Sequence, residues 1–144
     1  MLVHQILKSK PEAGVVFVGP DTPVSEAAKM LGEKRIGTVL VSEDGKVPLG
    51  ILSERDIVRE LGRAGGACLE RTVADYMTRN VITTTAQSSV SEVLTQMTEG
   101  RFRHMPVMDG EAMVGLISLG DVVKAQLQKL EMEKDALEGM IMGH

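Results

Sequence analysis

Aromatic side chains are almost missing: Phe17, Tyr76 and Phe102 are the only ones in 144 residues, and there is no tryptophan. A core built from this chain is aliphatic, with ten methionines to fill its irregular gaps, and the stacking platforms used to bind single-stranded nucleic acid are absent. Cys68 is the single cysteine, which excludes an intramolecular disulfide and a cysteine-built zinc cluster and fits a reducing, cytoplasmic setting. No apolar run approaches bilayer length. The opening MLVHQILKSKPEAG also lacks the charged start, long apolar centre and small-residue cleavage site of a signal peptide, so a soluble, non-exported protein without a membrane partner is expected. Positive charge is scarce as well, with 16 Lys and Arg against 20 Asp and Glu and a formal net charge of -4, which argues against a nucleic-acid partner.

Catalytic signatures are lacking too. The three histidines, at 4, 104 and 144, stand in no metal-ligand spacing such as H-E-x-x-H. Ser118, His104 and Asp121 are the residue types of a hydrolytic triad, but no G-x-S-x-G elbow presents the serine. GRAGGA is not a G-x-x-x-x-G-K-[ST] phosphate loop. The expectation is a protein that is not an enzyme and has no metal site or catalytic cofactor.

What is present is present twice. VSEAAKML at 24–31 aligns with VSEVLTQM at 90–97, and GILSERDIV at 50–58 with GLISLGDVV at 115–123, offsets of 66 and 65 residues. Between these blocks each copy has an Asp-Gly pair flanked by aliphatic runs, a strong hairpin signal. VVFV (15–18) and VITT (81–84) read as short strands. PDTPVSEAAKMLGEK and QSSVSEVLTQMTEG read as helices with apolar residues at helical spacing. GTVLVS with KVPLGILS, and HMPVMD with AMVGLIS, read as hairpins, and a helix opens at the serine that ends each. A short amphipathic turn precedes each copy, VHQILK at 3–8 and VADYMT at 73–78, and GRAGGACLER at 62–71 reads as a linker.

The fold class is therefore α+β, two β-α-β-β-α repeats with a long C-terminal helix. The boundaries are 1–62 for the first repeat, 63–72 for the linker, 73–126 for the second repeat and 127–144 for a helical extension. One such unit is too small to bury its sheet alone, so the copies are expected to pack sheet to sheet about a pseudo-two-fold axis, with a ligand-sized cleft on either side.

Ser53-Glu54-Arg55-Asp56 and Ser118-Leu119-Gly120-Asp121 admit two readings. Serine at a helix N-cap with an acid three positions on is a capping box, contributing about 1 kcal/mol per cap. The same helix start can also receive a phosphate on its free N–H groups and the serine hydroxyl, while the aspartate accepts both hydroxyls of a ribose diol. Gly50 and Gly115, in the strand before each serine, permit close approach of a ligand or a neighbouring backbone.

VSEAA, GTVLV and GILSERDIVREL in one copy, and DYMTRNVITT, RFRHMPVMDG and GLISLGDVVK in the other, together resemble a tandem pair of cystathionine β-synthase (CBS) domains over nearly the whole chain. The chain is similar to the stand-alone bacterial CBS-pair proteins. The resemblance implies regulatory binding of an adenosyl compound (AMP, ADP, ATP, NAD(H) or S-adenosylmethionine) in the clefts between repeats, with the occupancy passed to a protein partner. It implies that Asp56 and Asp121 hold ribose hydroxyls and that Ser53 and Ser118 meet ribose or phosphate. It also implies an aliphatic adenine slot formed by Val16, Phe17, Ile82 and Thr83 from the first strands and Thr38, Met105 and Pro106 from the hairpins. In the family the region of Arg103 and His104 often meets the ligand phosphate.

Read from the residues alone, Arg103 and His104 are either phosphate contacts or a solvated arginine beside a strand-capping histidine. Arg55, replaced by Gly120 in the second copy, is either a surface ion pair with Glu54 or Glu60 or a further phosphate contact. After Asp121 the last helix carries Leu127, Leu130, Leu137 and Ile141 at heptad positions, with Lys134 between them. That stripe either packs back on its own domain or forms the seam of a homodimer, which the resemblance favours. An alternative to the sensor is a structural or interaction dimer whose clefts are vestigial and whose serines are helix caps only.

Overall fold

The computed structural model describes residues 1–10 and 15–142. The order of elements is α1 (Val3–Ser9), β1 (Phe17–Val18), α2 (Val24–Lys34), β2 (Thr38–Val41), β3 (Gly50–Ser53), α3 (Glu54–Ala64), a 3-10 helix (Gly65–Glu70), α4 (Val73–Tyr76), β4 (Thr84–Thr85), α5 (Val90–Gly100), β5 (His104–Asp109), β6 (Ala112–Ser118) and α6 (Leu119–Ile141). Two three-stranded sheets result, ordered β1-β2-β3 and β4-β5-β6. In each, the first strand runs parallel to the second, with Val18 opposite Val41 and Thr84 opposite Val107. The protein is α+β, and each repeat contributes one sheet.

The repeat seen in the sequence is a repeat of buried positions. Val24, Ala27 and Leu31 of α2 are buried, and so are Val90, Val93 and Met97 of α5 at the same spacing. Val39, Val41 and Leu52 cover one sheet beneath the first set; Met105, Val107 and Ile117 cover the other beneath the second. Because side chains alternate across a strand, one face of each sheet meets its helices while Thr38 and Leu40, or His104 and Pro106, lie on the opposite face. Each fully buried aliphatic residue contributes roughly 1.5–3 kcal/mol.

The chain divides into two compact units that do not coincide with the two copies. Val3 and Ile6 of α1 belong to the core of β5, β6, α5 and α6. Val73 and Met77, in and just after α4, belong to the core of β1, β2, β3, α2 and α3. Each leading segment is pinned there by the same pair of hydrogen bonds. The N–H of Val3 donates to the Ser88 carbonyl at 2.9 Å and that of Val90 to the Met1 carbonyl at 2.9 Å, and the N–H groups of Val73 and Val24 donate to Thr22 and Arg71 at 2.8 Å each. The boundaries 1–62 and 73–126 thus follow the sequence copies, whereas packing exchanges their leading helices.

One further expectation is corrected, the strand at 81–84, and two others gain detail. Residues 63–72 join the two copies with structure of their own: α3 continues to Ala64, and the 3-10 helix that follows buries Cys68 and packs Leu69 against the core of β1, β2 and β3. Gly65, at φ 67, supplies the left-handed turn between the two helices. The strand read at 81–84 begins only at Thr84, which occupies the buried place that Val18 holds in the first sheet. Ile82 and Thr83 therefore precede the strand. Of the extension read at 127–144, α6 accounts for the residues up to Ile141, and 143–144 lie outside the described residues.

Candidate functional site

Both Ser-x-x-Asp segments open a helix directly from a strand. At α3 the Ser53 hydroxyl accepts from the Asp56 N–H at 3.2 Å, and Asp56 Oδ2 accepts from the Ser53 N–H at 2.9 Å. At α6 the Asp121 N–H donates to the Ser118 hydroxyl at 3.1 Å and the Ser118 N–H to Asp121 Oδ2 at 2.9 Å. The capping box is therefore formed in both copies. The first helical N–H is also taken, Glu54 by the Gly37 carbonyl at 2.9 Å and Leu119 by the Arg103 carbonyl at 2.7 Å. The N–H groups of Arg55 and Gly120 are left as those an anion can approach.

Around α3, Thr38 sits directly opposite Ser53 across the β2–β3 ladder and is buried. The sheet thus brings a hydroxyl pair to the mouth of the helix. Arg59, one turn on, donates to Asp56 Oδ1 at 2.7 Å, and this bond raises the guanidinium pKa further. Arg55 is exposed and forms none of the ion pairs expected for it. Glu60 instead meets Arg59 at 3.7 Å and Arg63 at 3.5 Å, which offsets the cost of its burial at the position Ala125 holds in the second copy. Phe17 is part-exposed and lays its ring over Gly45 of the β2–β3 loop, while Val16 beside it is half-buried and Ile82 is exposed.

That loop also shows what an Asp-Gly pair does when the hairpin is long. Asp44 Oδ1 accepts from the N–H groups of Lys46 at 2.8 Å and Val47 at 3.1 Å, an Asx turn that lowers its pKa. In the second copy Gly110 and Glu111 alone join β5 to β6, with Gly110 at φ 62.

Around α6, Lys10 reaches in from the end of α1 and donates to Asp121 Oδ2 at 2.7 Å and to the Leu116 carbonyl at 2.9 Å. Burial pushes the Asp121 carboxyl up, but the bonds from Lys10 and Ser118 outweigh it and hold the pKa below the ordinary carboxylate value. Met1, Gln5, Ile6, Ser9, Lys124 and Ala125 complete a hollow of about 230 Å³ beside that pair. His104 is half-buried and close enough to feel Asp121, Lys10 and Arg103. Met105, placed in the adenine slot from sequence, is wholly buried in the core, because its odd place in β5 turns it toward α5 and α6. Pro106 is also buried, whereas Arg103 and Thr83 are exposed. Sequence reasoning missed Arg59 and Lys10. The first lies at the i+3 helical spacing from Asp56 and was findable; the second has no local signal.

His104 supports a pH prediction. Burial lowers its pKa, the neighbouring Lys10 and Arg103 lower it further, and Asp121 opposes them. A depressed histidine is neutral in the folded state while the unfolded chain still binds a proton, so stability is full above the unfolded value and declines as pH falls below about 6.5. The melting temperature is expected to fall more between pH 7.5 and 5.5 in the parent protein than in His104→Gln. Equal slopes in a thermal scan refute this.

Among the described residues no group of three or more His, Cys, Asp or Glu could hold a metal ion, and no helix is long and apolar enough to cross a membrane. The family model for the CBS domain matches residues 6–63 and 73–128. The fold is similar to the crystal structure of the CBS-domain protein ATU1752 from Agrobacterium tumefaciens, at 41% identity and TM-score 0.81, covering 88% of this chain and 99% of that one. It is also similar to the CBS pair of MJ0100, solved with 5'-methylthioadenosine and S-adenosyl-L-methionine, at 28% identity and TM-score 0.75 over 90% of this chain and 98% of that one. CBSX2 from Arabidopsis thaliana, solved with AMP, matches at 25% identity and TM-score 0.72 over 88% of this chain and 96% of that one.

Proposed function

Since the chain belongs to the CBS-domain family as a tandem pair, we propose that it is a regulatory module, without catalysis, that binds an adenosyl metabolite at the starts of α3 and α6 and passes the occupancy to a protein partner. One observation carries the reading: each copy presents an aspartate, a serine and an approachable N–H at a helix start fed by its own sheet. Asp56 and Asp121 clasp the ribose diol, the serine hydroxyls and the Arg55 and Gly120 N–H groups meet the 5' substituent, and Arg103 and His104 favour a phosphate at the second copy. Val16, Phe17, Ile82, Thr83, Thr38 and Pro106 supply apolar contact for the base, and Arg55 a further phosphate contact. Relatives solved with AMP and with S-adenosylmethionine and methylthioadenosine support this ligand class. Calorimetric titration with AMP, ADP, ATP, NADH, S-adenosylmethionine and methylthioadenosine tests it. At least one binds below millimolar concentration; binding of none ends the reading.

The partner chemistry includes a second copy of the chain. Leu127, Leu130, Leu137 and Ile141 are all at least half exposed on one face of α6. Lys134, at the intervening seam position, leans along the helix to Glu138 at 3.8 Å. A two-stranded seam covers this stripe. Leu130→Glu with Leu137→Glu is expected to halve the mass measured by light scattering, and an unchanged mass removes α6 from the interface.

A further inference from the structure

The two aspartates are held by cations of different origin. Asp56 is met by Arg59, three residues along its own helix, with a side chain 57% exposed. Asp121 is met by Lys10, 111 residues away in sequence, and the same ammonium donates to the Leu116 carbonyl. One lysine thereby ties the end of α1 to β6 and to the first turn of α6.

Resting on the adenosyl reading above, we propose that Lys10 is an internal occupant of the second site: a ribose diol reaches the Asp121 carboxylate only when the Lys10 ammonium leaves it, and that departure unties α1. The count of lone pairs carries the argument. Asp121 Oδ2 already accepts from the Ser118 N–H at 2.9 Å and from Lys10 at 2.7 Å, which fills a carboxylate oxygen. A diol clasp engages both carboxylate oxygens, so one of these donors must go. The backbone N–H is fixed by the helix start, and the ammonium is the one that moves.

At Asp56 the corresponding oxygen accepts from the Ser53 N–H and the Ser53 hydroxyl, both at 2.9 Å. A hydroxyl rotates at little cost, whereas an ammonium must be drawn out of a part-buried, charge-assisted bond. The hollow lined by Gln5 and Ser9 gives the ammonium room and polar side chains to retreat to. The first site therefore fills before the second, and only filling of the second is felt by α1.

Methylthioadenosine is the probe, because it has the diol and no phosphate that a lysine could hold. It is titrated calorimetrically into Asp56→Ala protein, which retains only the second site, with and without Lys10→Met. The expected result is a Kd roughly ten-fold lower with methionine, and amide exchange over residues 6–10 that quickens on ligand addition only where Lys10 is present. Lys10→Gln, uncharged but still a donor to Leu116, serves if methionine loosens α1. Equal or weaker binding without the lysine overturns the latch and leaves the binding reading intact. Absence of binding to every Asp56→Ala protein also overturns it, and the parent titration decides whether the adenosyl reading falls too.

Discussion

Gly50→Ala is expected to lower stability by roughly 2–3 kcal/mol, among the larger effects available to the addition of one methyl group. A Cβ built at Gly50 lies 2.5 Å from Met77 Sδ and 2.9 Å from the Thr78 carbonyl oxygen. The thioether can swing aside, but the carbonyl cannot. It accepts from the Ile51 N–H at 3.0 Å while the Thr78 N–H donates to the Ile51 carbonyl at 2.8 Å, a closed bridge that fixes the chain after α4 against β3. Gly115→Ala is the control, since its Cβ meets only the far methyl of Leu7 at 2.6 Å, and its cost should stay below about 1 kcal/mol. Urea unfolding of the two variants measures the difference, and equal midpoints contradict the bridge as the cause. Gly50 and Gly115 thus make room for a neighbouring stretch of the chain, one of the two uses open to them from sequence.

Asp56→Ala and Asp121→Ala should each remove one binding event and weaken the affected site about 100-fold, the loss of two charge-assisted hydrogen bonds to a ribose diol. The same substitutions break a capping box and an ion pair, so each also costs about 1 kcal/mol of stability. The two effects separate because Ser53→Ala and Ser118→Ala lose the cap and the hydroxyl contact to the 5' substituent while keeping the carboxylate, so they should weaken binding far less than the aspartate variants at a similar loss of melting temperature. If the serine and aspartate variants lose affinity equally and in proportion to melting temperature, the aspartates are caps and nothing more. The vestigial-cleft alternative then stands.

Much of this architecture was legible in one chain because duplication repeats each burial position. Val24, Ala27 and Leu31 return as Val90, Val93 and Met97, and each hairpin returns with its Asp-Gly pair. The helix starts were legible for the same reason, since a serine cap and an acid three residues on act locally. What escaped was non-local. An apolar stripe such as VHQILK shows that a helix must be covered without showing by which sheet, so the exchange of α1 and α4 could not be foreseen. Lys10 belongs to the same class, meeting its carboxylate only once that exchange has occurred. Two glycines and two arginines mark 63–72 as a linker, yet the apolar pair Cys68-Leu69 within it packs into the core. Met105 enters the slot only through the resemblance, whereas the alternation along β5 turns it into the core.

The trade of leading helices has a consequence for dissection. A cut after Arg71 yields an N-terminal fragment that owns α1 but lacks the cover its own sheet requires, and a C-terminal fragment in the converse position. Neither half is self-sufficient, although each contains a whole copy of the motif. Mixed together they hold everything both cores need, so two such fragments are expected to fold in each other's presence and to stay unfolded apart.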